Sequence, residues 1–167
     1  RDQPRSRGLG DVYKRQPTEF WVGAKYYQGT RSPNNAERED IGYSSAWLHH
    51  KGRNKHHYEY WIDYSMQALP GGMAPVPMPD KYIAEMIMDR IAASKVYMGG
   101  EYTDRSPLDY YYQGTDRAPI HPETKAKLLY VLEMLAEQGE EKTFQFIKEE
   151  LVQHKRCMDW HQLEKAE

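Results

Sequence analysis

Ile83, Met86, Ile87 and Ile91 recur at helical intervals in a stretch that is otherwise largely polar, and this period constrains the fold more than any other feature of the chain. The spacing follows 3.6 residues per turn, so it predicts a helix over Lys81–Ser94 with one buried stripe. Leu128, Val131, Leu132 and Leu135 repeat the pattern in Pro122–Gln138, where Pro122 suits a first helical position and Gly139 a stop. Glu140–His154 offers Phe144, Ile147 and Leu151 to one face. No segment alternates as a half-buried strand would, so the expected class is all-α, a compact multi-helix domain.

Weaker signals complete the chain. Pro17–Gln28 reads as a short helix with Phe20, Trp21, Ala24 and Tyr27 at helical spacing, stopped at Gly29. Thr30–Gly42, with Pro33, Asn34 and Asn35, reads as a loop. Ser44 or Ser45 suits the cap of a helix through His50, and Asn54 the cap of the next, which ends near Leu69. Pro70–Pro79 is a Pro- and Gly-rich linker, and Leu108–Gln113 a further short helix. The expected layout is one helical domain over 17–155 and a tail over 156–167.

Ser6–Gln16, SRGLGDVYKRQ, stands apart. It has no apolar period, and it lacks the apolar run and cleavage site of a signal peptide. Back-translated in one frame, it resembles the adapter and transposase end used in tagmentation libraries. The expectation is that residues 1–16 are non-native and that the natural protein begins upstream of Pro17, making this a truncated copy.

Setting aside Arg1, Arg5, Arg7, Lys14, Arg15, Asp2 and Asp11 moves the net charge from −2 to −5. An acidic chain is poorly suited to general nucleic-acid binding, which depends on neutralising phosphates. No apolar run approaches the ~18 residues of a membrane span. The single Cys157 excludes an intrachain disulfide framework and fits a reducing cytoplasm.

LHHKGRNKHHYEYW carries the chemistry. Four of the seven histidines, His49, His50, His56 and His57, fall within nine positions. Whether the helix continues or turns at Gly52–Asn54, the imidazoles are brought near one another. Imidazole is the commonest metal ligand and the usual acid or base at neutral pH. Arg53 offers a planar fork for phosphate. Glu85 and Asp89 lie one turn apart beside the apolar stripe, and a carboxylate facing a core needs a partner or a metal. For Asp89 that reading stands level with simple exposure; Glu85 is expected to face solvent and pair with Arg90, Lys81 or a more distant base.

Ala46–Trp61 resembles the hallmark of an uncharacterised bacterial and phage family known only as a domain of unknown function, His-His-x-x-Arg-Asn-x-His-His-x-x-Tyr-Trp. The match falls on His49, His50, Arg53, Asn54, His56, His57, Tyr60 and Trp61. MPDKYIAEMIMD (Met78–Asp89) and IHPETK (Ile120–Lys125) match further parts of it. The family's ligand order is similar to that of HD-domain phosphohydrolases, helical proteins that hold one or two divalent metals. That resemblance implies His50, His56, His57 and Asp89 as ligands of a divalent metal (manganese, iron, magnesium or zinc). It assigns Arg53 to a phosphate and His49 to the catalytic set, as a further ligand or a group behind the ligands. The implied activity is hydrolysis of a small phosphorylated substrate, inactive in a copy lacking the upstream ligands. The rival is a non-enzymatic helical interaction protein whose histidines form a structural corner.

Overall fold

The computed structural model describes residues 17–29, 31–66 and 72–154. The predicted leader over 1–16 and tail over 156–167 lie outside them. The chain is mainly α, as its apolar periods require, and it divides after Lys55 into two compact units.

The first unit holds α1 (Pro17–Tyr26), α2 (Pro33–Ile41) and α3 (Ser45–Lys51). α2 replaces the expected loop. Pro33 sits in its first turn rather than breaking it, and Gly42 ends it in the left-handed conformation at φ 84°. The cluster Pro-Asn-Asn reads as a turn only if its position relative to a helix start is ignored. α3 begins as expected: the Ser44 hydroxyl accepts from the Trp47 N–H at 3.0 Å. Glu37 of α2 then fixes this start, accepting from the Ser44 and Ser45 hydroxyls at 2.6 Å each. Burial alone would raise the Glu37 pKa. The two hydroxyls and the backbone N–H groups of Ser45 and Ala46 outweigh it, and the net shift is downward.

The second unit opens with a 3₁₀ turn (Tyr58–Trp61) and a two-stranded antiparallel ribbon, β1 (Ile62–Tyr64) against β2 (Met73–Pro75), with Ile62 opposite Pro75. The helix expected from Asn54 to Leu69 is therefore absent from its described part, and so is irregularity throughout 70–79. Asn54 does not cap a following helix. Its side-chain amide donates to the His50 carbonyl at 2.8 Å, closing α3 instead. Beyond the turn, β-branched Ile62 and aromatic Tyr64 suit the strand that follows.

Then follow α4 (Asp80–Met98), α5 (Ser106–Tyr112) and α6 (Pro122–Phe146), the last continuing into a π-helical turn, Ile147–Val152. The stripe of α4 faces that of α6: Ile83, Ile87, Leu128, Leu132, Leu135 and Leu151 are wholly buried with Tyr111 of α5. Each such side chain contributes roughly 1.5–3 kcal/mol of transfer free energy. Lys127 ties the starts of the two long helices together, its Nζ donating to Asp80 and Glu123 at 2.7 Å each. His121 caps α6, accepting from the Glu123 N–H at 3.3 Å. Gly139 ends the first helical segment as expected: at φ 80° and ψ 173° it is non-helical, and it divides α6 into two helical stretches.

Candidate metal centre

α3 is short because its sequence closes it at both ends, with Ser44 in front and Asn54 folded back on the His50 carbonyl. That brevity leaves His49 and His50 in the last turn. Adjacent helical residues point about 100° apart, so the two rings straddle whatever packs against them. In the first unit that group is Glu19 of α1, buried with 8% exposure. One of its oxygens lies 2.7 Å from His49 Nδ1 and the other 3.1 Å from His50 Nδ1. A carboxylate only accepts, so both rings donate from Nδ1. In the neutral ring this places the lone pair on Nε2, the atom that binds metals or takes a proton. The Asn54 amide nitrogen also lies 3.2 Å from His50 Nδ1, but since that N–H is directed to Glu19 the approach is a contact. Trp47 stacks on His50 with ring centres 5.7 Å apart.

The second unit begins at His56 and His57, whose rings lie 4.3 Å apart. His56 is buried, and its Nδ1 lies 4.0 Å from a Glu85 oxygen on α4. Within the second unit, His56 and His57 thus set two imidazoles side by side, donors of the type a divalent cation takes.

Of the four expected ligands, His56 and His57 are adjacent in the second unit, His50 lies on α3 of the first, and Asp89 is on α4. Asp89 stands one turn beyond Glu85, next to Arg90, whose guanidinium is held below the ordinary arginine range by burial. Tyr110, Tyr58, Glu59 and Asp89 oppose that shift electrostatically. Arg53 is exposed, and its guanidinium donates to the His49 carbonyl at 3.2 Å. Sequence reasoning passed over Glu19, which reads as an ordinary acidic residue in a helix's first turn. The flanking Phe20 and Trp21 pointed the other way, since hydrophobicity favours burying them and both are exposed. Glu85 was expected in solvent; it is three-quarters covered, and His56 is the basic group that faces it.

A family model described as "Family of unknown function (DUF5662)" matches residues 6–134. The chain belongs to this family. In this DUF5662 member the described part of the match runs from Pro17 to Met134, taking in Glu19, the histidine cluster, α4 and the first half of α6. It also takes in Ser6–Gln16, the stretch the sequence sets apart. No curated protein and no solved structure matches the chain.

Proposed function

We propose that the histidine cluster is a divalent-metal centre, and that it serves hydrolysis of a phosphate ester in the manner of helical HD-type enzymes. The observation that carries the reading is the grip of Glu19 on His49 and His50. A buried carboxylate that takes the Nδ1–H of an imidazole fixes its tautomer and turns Nε2 outward, which is how metal-binding histidines are commonly held. His56 and His57, a few residues further along the chain, supply further donors of the same type. Three imidazoles suit manganese, iron or zinc better than magnesium, which prefers oxygen. A cation bound there would lower the pKa of a coordinated water into the neutral range. Arg53, exposed at the rim of α3, is free to reorient toward a phosphate.

The structural-corner reading draws on Trp47 stacking and the Asn54 cap, which would hold His50 in place with no metal at all. The two readings separate on metal content and turnover. The protein is loaded with manganese, iron, zinc or magnesium and tested on nucleotides and simple phosphate esters. Stoichiometric metal, lost in His57→Ala together with any turnover, is the expected result. A metal-free protein in which His57→Ala lowers only stability would refute the proposal.

A further inference from the structure

We infer that Glu85 is a positioning residue for His56, as Glu19 is for His50; the inference rests on the metal reading above. Glu85 lies on α4 between Ala84 and Met86, both buried, in a wall that covers three-quarters of its own side chain. A carboxylate in such a wall needs a partner. The neighbouring bases Lys81 and Arg90 do not provide one: among the described residues the basic group that faces Glu85 is His56, at 4.0 Å from oxygen to Nδ1. That distance exceeds a direct hydrogen bond by about 1 Å, a gap that one bridging water or a small side-chain rotation closes.

The approach is to Nδ1, the same ring atom by which Glu19 holds His50. A carboxylate on Nδ1 selects the tautomer with its lone pair on Nε2, and His56 Nε2 lies inside, shielded from solvent. The second unit therefore orients its histidine by the same device as the first, with an acid drawn from a different helix.

The test is zinc affinity by competition with a chromophoric chelator, with cobalt(II) absorption as a readout of the donor set, on the full chain. Glu85→Ala is expected to weaken zinc about 10–100-fold, the usual loss for an outer carboxylate. Glu85→Gln, which still offers an oxygen to Nδ1–H, is expected to restore most of that loss. The cobalt band keeps its shape in both variants. If the parent binds zinc and Glu85→Ala binds equally well, the inference fails while the metal centre stands. If both Glu85 variants alter the cobalt band shape, Glu85 is a direct ligand and the positioning role is refuted. A parent that binds no metal removes the centre and the inference together.

Discussion

Replacing Glu19 tests the arrangement at its base. Its two bonds, at 2.7 and 3.1 Å, join an ionised acceptor to ring N–H donors. Hydrogen bonds of this kind contribute roughly 1.5–3 kcal/mol each. Glu19→Ala removes both and leaves two N–H groups facing a void. His50 is 6% exposed and finds little water, whereas His49 is more open and recovers part of its loss. The expected cost is therefore about 2–4 kcal/mol, below the sum of the two bonds. Glu19→Gln is more specific. The amide has the shape of the carboxylate but offers one acceptor and one donor. One imidazole keeps its Nδ1–H; the other must move its proton to Nε2 in order to accept, and its metal-binding lone pair is then lost. Long-range ¹H–¹⁵N spectra read these tautomers directly, with His49 and His50 assigned by single substitution, and urea titration gives the stability. The parent should show Nδ1–H at both residues, Glu19→Gln at one of them with a smaller stability loss than Glu19→Ala. Parent spectra with Nε2–H at His49 or His50, or an unchanged urea midpoint for Glu19→Ala, would refute the reasoning.

Glu37 has a depressed pKa in the fold, so its contribution is present above its ordinary value of 4.5 and lost as pH falls through the folded value. The urea midpoint of the parent should therefore fall more steeply below about pH 4.5 than that of Glu37→Gln, and parallel curves would contradict this. Leu132 is wholly buried, so Leu132→Ala should cost roughly 2–5 kcal/mol in urea unfolding. Gly139 holds φ 80°, and a Cβ there would meet an Asp104 oxygen at 3.3 Å. With ψ at 173° this backbone is one that essentially only glycine adopts, so Gly139→Ala should cost about 1–3 kcal/mol, seen as a lowered thermal midpoint.

The sequence was most informative where burial and period coincide. In α4 and α6 one apolar stripe meets another, and both helices are where their leucines and isoleucines say. It was least informative where a local signal has two meanings. Pro33-Asn34-Asn35 marks a turn and equally a helix start, and α2 is the latter. Asn54 caps N-termini by preference, yet here its amide turns back onto α3, and that one hydrogen bond separates a continuous helix from the 3₁₀ turn and ribbon that follow. The histidine cluster was visible because its members are near in sequence. Glu19 lies thirty residues before His49, and Glu85 twenty-nine after His56, so nothing in the spacing connects them to the rings they face. Apolar period reports which face is buried; it does not report which polar group is paired across the fold.

α1 shows how far that pairing governs orientation. With about 100° between successive residues, turning Glu19 inward sends Phe20 to the flank and Trp21 nearly to the opposite side. They are 54% and 68% exposed. Rolling the helix by about 200° would bury the indole and return the carboxylate to water, the choice that hydrophobicity alone favours. The helix is instead keyed by two imidazoles, like a shaft held by a pin rather than by its fit in the bore. Its aromatic edge is thus the geometric shadow of a buried acid, and Trp21 becomes a natural optical gauge of whether the pin is engaged.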